Sequence, residues 1–184
     1  MLKWATPRRA DVQRRNATEA ARGNVSRAFE SMQAVQLGGF TDRVAGVMLE
    51  ADEVAYSIVP DCHLVELDPS ALGRERTAAA NDTGTFVVTN RRCVFVGSQH
   101  SREWLYTKMR TVGHNGAETA IYMSDENLAA SVRCSVGAHV ISARILAAMA
   151  RYRDADLHAS LVEQVNTDYR DAWSQWQALE AECA

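Results

Sequence analysis

Asp82-Thr-Gly-Thr-Phe-Val-Val-Thr-Asn-Arg-Arg-Cys-Val-Phe-Val-Gly97 is the stretch on which the fold turns. Thr85, Val87 and Thr89 alternate with Phe86 and Val88. After Asn90-Arg91, Cys93 and Phe95 alternate with Val94 and Val96. That period of two predicts a pair of short strands joined at Asn90-Arg91, where Asn tolerates the left-handed backbone of a tight hairpin. Gly84 and Gly97 bracket the pair, and a third apolar run, Arg102-Glu-Trp-Leu-Tyr106, follows and ends at Lys108. A meander worded this way holds no nucleophile, metal cage or phosphate cradle. It points to a binding module without naming the ligand.

Outward from the hairpin, the zone from about 44 to 134 reads as β structure. The expected strands are Glu53–Val59, Cys62–Leu67, Thr85–Thr89, Arg92–Val96, Arg102–Tyr106, Thr111–His114, Glu118–Met123 and Ala129–Cys134. Pro60-Asp61 reads as a turn between the first two strands. Residues 68–82 read as a polar loop, and Asn115-Gly116 is the strongest hairpin dipeptide in the chain. Many short strands at regular spacing suggest a sandwich or small barrel.

Both ends read as helix. From Thr6 to Leu37 the apolar residues Ala17, Ala21, Val25, Ala28, Met32 and Val35 step by three or four, and Gly38-Gly39 closes the segment. Beyond Gly137 there is neither Gly nor Pro. Val140, Ile141, Ile145, Ala148, Met149 and Tyr152 form one stripe, and Leu157, Leu161, Val165, Tyr169, Ala172, Trp176 and Leu179 form another. Asp154 or Asp156 can cap a second helix, so two helices are favoured over a single one spanning 137–182. The ends carry opposite charge. Residues 1–30 hold seven basic and three acidic groups, residues 154–184 seven acidic groups and Arg170. Packing of the two arms on each other is expected, with charge setting register and apolar faces supplying stability.

The chain has 184 residues, 47% hydrophobic and 23% charged, which suits one soluble core with helical additions. A formal charge of −3 argues against a nucleic-acid partner. Eighteen arginines against two lysines read as genome composition, which lowers the weight of any arginine run. Cys62, Cys93, Cys134 and Cys183 form no C-x-x-C, so free thiols and a reducing cytoplasm are expected, with Cys93 and Cys134 packed in strands as small hydrophobes. The opening Met-Leu-Lys-Trp-Ala-Thr-Pro-Arg-Arg lacks the apolar core of a signal peptide, and no run reaches the roughly 20 apolar residues of a membrane span. His63, His100, His114, His139 and His158 show no metal-ligand spacing, and G-x-S-x-G, G-x-G-x-x-G and Walker loops are all missing. No cofactor, metal or catalytic residue is expected.

At Gly84 through Gly97, with Thr89-Asn90-Arg91-Arg92 at its centre, the sequence resembles bacterial pleckstrin-homology-like domains and is similar to GRAM domains. Arg102-Glu103-Trp104 and Lys108 extend the match. Leu49-Glu-Ala-Asp-Glu-Val54 is similar to the family's leading segment, with Ala-Asp in place of Pro-Gly. The resemblance covers roughly 48–150. The long acidic C-terminal helix also resembles uncharacterised proteins of GC-rich Gram-positive bacteria and their phages. What the resemblance implies is an α+β fold: a pleckstrin-homology-like antiparallel sandwich or barrel of two orthogonally packed sheets, closed by a helix at about 136–153. An N-terminal helix and a long C-terminal helix are added to it. The expected division is a helical arm at 1–39, the β-domain with its capping helix at 40–153, and an acidic helix at 154–184 packing on the arm.

Phosphoinositide-binding members of that superfamily use a basic loop between the first two strands, where this chain is expected to carry the short, acidic Pro60-Asp61. Arg74 and Arg76 in the longer loop, with Arg91, Arg92 and Arg102, are the candidate anion patch, since guanidinium forks suit phosphate and carboxylate. Trp173 is the candidate partner anchor, lying off the stripe that contains Trp176. The expected function is a non-enzymatic cytoplasmic interaction or adaptor module that binds a protein or itself. The alternative is a peripheral domain for anionic lipid, aided by the basic N-terminal helix.

Overall fold

A computed structural model describes residues 9–36, 41–44, 46–66, 79–124 and 130–182. The elements run α1 (Arg9–Val35), β1 (Ala55–Glu66), β2 (Ala79–Thr89), β3 (Arg92–Gly97), β4 (Ser101–Leu105), β5 (Met109–His114), β6 (Thr119–Met123), β7 (Ala130–Arg133), α2 (Ala138–Arg153) and α3 (Ala155–Ala181). All seven strands join one antiparallel open sheet in the order β4-β3-β2-β1-β7-β6-β5. The protein is therefore α+β.

β1 is the spine of this sheet. It pairs with β2 over its whole length and with β7 through His63, Leu64 and Val65. The register slips between Val59 and Cys62, and Asp61 has φ +55°. Pro60-Asp61 is thus a bulge inside one bent strand, which corrects the expected turn between two strands. The chemistry is the same in both roles. Proline has no N–H to give a ladder, and Asp is among the few non-glycine residues that tolerate the left-handed region. The connection between the first two strands is consequently 67–78, and Arg74 and Arg76 fall on it, outside the described residues.

The β2–β3 hairpin forms with Val88 opposite Cys93 and Gly84 opposite Gly97. A Cβ on Gly84 would collide with the Val96 carbonyl oxygen and lie 2.6 Å from the Gly97 Cα, so close strand approach requires glycine here. Asn90 does not supply a left-handed turn, since Asp52 and Asp61 are the non-glycine residues of positive φ among the described residues. It ties the corner to the incoming chain instead. Its Oδ1 accepts from Val54 N (3.0 Å), and its Nδ2 donates to Asp52 O (2.9 Å). At the other hairpin Gly116 has φ +92°, and Asn115 Oδ1 accepts from the Ala117 and Glu118 N–H groups, as the dipeptide leads one to expect.

Cys62 and Cys134 form a disulfide, their Cα atoms 4.2 Å apart. His63 sits opposite Arg133, so antiparallel register carries Cys62 opposite Cys134. This corrects the expectation of free thiols at both positions. Cys93 is a free thiol with no exposure. Burial pushes its pKa up to about 12 against a smaller opposing effect from its hydrogen bond to the Tyr106 hydroxyl, so it is inert at neutral pH.

α2 lays Ile141, Ile145, Ala147 and Ala148 over a core built from Phe86, Phe95, Trp104, Met109 and Ile121. The chain then breaks at Asp154, whose extended backbone ends α2 and whose side chain accepts from Asp156 N at 2.9 Å. Two helices replace one, as the capping chemistry favours. α1 and α3, 27 residues each and therefore about 40 Å long, pack on each other and both touch α2. They run antiparallel: Phe29 meets Tyr169 at 5.6 Å, while the first turns of α1 share a cavity with Glu182.

Candidate functional site

Of the five candidate arginines, Arg74 and Arg76 lie outside the described residues, and Arg102 is on the other face of the sheet from Arg92. Arg92 is consumed by the corner itself. Its Nε and Nη2 donate to the two carboxylate oxygens of Glu53 at 3.0 and 2.9 Å. Nη2 also reaches Met48 O at 3.0 Å, and Nη1 binds Glu103. Glu53 has no side-chain exposure. Burial works against its carboxylate, but hydrogen bonds from Arg92, the Glu50 N–H that reaches its Oε2, and Thr89 outweigh it and lower the pKa. Hydrogen bonding to Glu53 raises the Arg92 pKa in turn, against a smaller desolvation effect. The pair is a structural staple between the segment before β1 and the β2–β3 turn.

Arg91 is more exposed and pairs with Glu50 at 2.9 Å. Arg102 lies across the sheet. It shares the face of β4 with buried Trp104, its guanidinium carbon 5.8 Å from that ring, whereas Glu103 is on the opposite face with Arg92. A cavity of about 390 Å³ beside Glu50, Arg91, Arg92, Leu105, Thr107 and Tyr152 therefore presents arginines already neutralised by carboxylates. Within the described part of the expected patch Arg92 serves the fold, while the Arg91–Glu50 pair is largely exposed.

Asp82 is a second structural carboxylate. Its oxygens accept from Ser98 N and Oγ, Gln99 N and His100 N at 2.7–3.1 Å. Desolvation is outweighed by these donors, which hold the carboxyl far below the ordinary 3.8. It organises the β3–β4 connection, a role no spacing rule picks out. Among the described residues no group of three His, Cys, Asp or Glu side chains could hold a metal ion.

The other candidate, Trp173, stands where spacing puts it. It is 39% exposed, 6.3 Å from Tyr169 and 5.0 Å from Trp176, which faces the α1–α3 seam half-buried. Phe29 of α1, 40% exposed, joins the row through Tyr169. Sequence reasoning missed Phe29. The signal was present, because it follows Ala28 of the seam and sits seven residues after Arg22.

The seam itself is thin. Ala21, Ala34 and Val35 are buried in α1, and no residue of α3 is fully buried. Charge does not set its register as expected. Among the described residues no ion pair joins α1 to α3. Arg14 pairs within its own helix with Asp11, and Glu30 pairs with His139 of α2. Arg15, Arg22, Asp168 and Asp171 are exposed, and none has an ion-pair partner there. The physical reason is position. On α3 Asp168 and Asp171 fall to one side of the seam and Glu180 to the other, whereas Arg15 and Arg22 share the row of Phe29 on α1.

Among the described residues no helix is long and apolar enough to cross a membrane. No protein-family model matches the chain, and no curated protein matches it in sequence.

Proposed function

We propose that this chain is a non-enzymatic protein-interaction module of pleckstrin-homology-like type whose docking element is the α1/α3 arm. The fold reading rests on the resemblance, supported by a bent central strand shared by two groups of three strands and by α2 packed against them. The observation that carries the function is the exposed row of Phe29 and Trp173 beside Arg15 and Arg22, which have no ion pair among the described residues. Aromatic side chains on a surface rimmed by arginine are the usual anchors of an interface. A photo-crosslinking residue placed at 173 in living cells tests this, with position 105 on the edge strand as control. Adducts from 173 and few from 105 are expected; adducts from 105 alone would sink the reading.

A second reading is favoured by one observation. Because β1 runs through Pro60-Asp61, the connection between the first two strands carries Arg74 and Arg76, where lipid-binding relatives of the resembled family place basic residues. Anionic vesicles should then sediment the protein in a salt-sensitive way that Arg74→Ala/Arg76→Ala abolishes. A wild-type protein that stays in the supernatant removes this reading. As to compartment, the Cys62–Cys134 bond favours an oxidising one over the expected cytoplasm.

A further inference from the structure

Arg92 and Arg144 are both partly withdrawn from water, and only Arg92 is matched. Arg92 gives its Nε and Nη2 to the two oxygens of Glu53. Arg144 of α2 donates from Nη1 to the buried Ser57 Oγ at 2.7 Å. Its Nε and Nη2, the same edge that Arg92 turns to a carboxylate, have no acceptor among the described residues. Burial lowers the Arg144 pKa, whereas hydrogen bonding to Glu53 raises that of Arg92. Arg144 lines a cavity of about 340 Å³ between the last turns of α1 and the first two turns of α2. We infer that this cavity binds a small organic carboxylate, its oxygens on the free edge of Arg144 and its apolar body against Ala34, Val136 and Val140.

A guanidinium half out of water with no counter-charge is costly, and a bound carboxylate supplies the match that Glu53 supplies to Arg92. The end of α1 and the start of α2 both border the cavity, so their opposed dipoles largely offset and Arg144 sets its sign. Gly137 caps α2 without a side-chain hydrogen bond, which leaves N–H groups of the first turn as further donors. Glu30 is the acid among the described lining residues, and it stands 2.8 Å from His139 Nε2. Its charge still repels a second negative charge on the ligand, which favours a singly charged carboxylate over phosphate. Ala34 and Val140 are buried and Val136 partly so, and they offer the ligand an apolar wall.

Titration of the isotope-labelled full chain with sodium hexanoate, followed by the Arg144 Nε–H resonance and by thermal melting, tests this. Saturable shifts at Arg144 and Ser57 are expected, with a rise in melting temperature as the ligand is added. Hexanamide, which has the same body and no charge, should bind about tenfold more weakly or worse, and so should sodium phosphate. Arg144→Gln should weaken hexanoate by about tenfold or more. Arg151→Gln removes the same charge from an exposed position of α2 outside the cavity and should leave binding unchanged. If Arg144→Gln does not fold, Arg144→Lys keeps the charge without the fork and should weaken binding in its place. The comparison of hexanoate with hexanamide on the wild type needs no substitution at all. Shifts that never saturate overturn the inference, as does hexanamide binding as tightly as hexanoate. So does binding that survives the loss of the Arg144 fork. Phosphate binding as tightly as hexanoate would overturn the organic carboxylate as occupant.

Discussion

At the Thr89–Arg92 corner, Arg92 meets Glu53 and Glu103, Arg91 meets Glu50, and Asn90 and Thr89 spend their side chains on backbone and carboxylate partners. Along the α1/α3 arm, Arg15, Arg22, Asp168 and Asp171 stand exposed with no ion pair among the described residues, and two aromatic rings are left half in water. Both regions are rich in arginine and acid, so composition does not separate them. What separates them is whether the fold uses the charge. A buried carboxylate must be matched or it destabilises the chain, whereas an exposed one on a helix can wait for a partner. The corner is where the sequence resemblance is strongest, and it is committed to holding the fold. The arm lies mostly outside that resemblance, and Arg15, Arg22, Asp168 and Asp171 are not spent on ion pairs among the described residues.

The comparison breaks most visibly at the disulfide, which secures the β-domain. The bond closes a loop of 72 residues, for which the chain-entropy account gives about 4 kcal/mol. Denaturant titration with and without reductant, or of Cys62→Ser, should show a loss of that order. The corner comes next. Glu53→Ala strands Arg92 and should cost about 3 kcal/mol, read by thermal melting. The same region sets an acid limit. Glu53 and Asp82 have pKa values below their ordinary 4.5 and 3.8, so their contribution is complete above those values. It is lost as pH falls through the lowered folded values. Stability followed from pH 7 downward should therefore decline only below about 4.5; a decline beginning near neutrality would point to another group. Arm substitutions invert the pattern. Phe29→Ala/Trp173→Ala should together cost only about 2 kcal/mol of stability, since both rings are already partly exposed, yet remove association. The smallest effect belongs to Arg91→Ala, an exposed pair worth about 0.5 kcal/mol or less.

Local chemistry made much of this legible in advance. The β2–β3 ladder, the Asn115-Gly116 turn, the Asp154 cap and the α2 stripe all depend on residues within a few positions of one another. Three features do not. The Cys62–Cys134 bond requires the β1–β7 register, which no spacing encodes. The Glu53 staple joins positions 39 residues apart. Pro60-Asp61 is ambiguous in principle, because a turn and a bulge ask for the same backbone, and only the pairing of Val59 with Phe86 and Cys62 with Gly84 decides. Trp173 is 39% exposed, as its place just off a clean helical stripe leads one to expect. The carboxylate partners of Arg91 and Arg92 lie 39 or more residues away or on the next strand, so no local spacing announces them.

The Cys62–Cys134 bond also turns residues 62–134 into a covalent ring. Strands β2 to β7 and the end of β1 lie on it, while α1, α2 and α3 hang from it as two tails. Cutting the chain once at Arg74 or Arg76 would open the ring without dividing the molecule. On a denaturing gel the nicked protein would keep its full mass until reductant is added. A single cut between Asp154 and Ala184 would release its fragment at once.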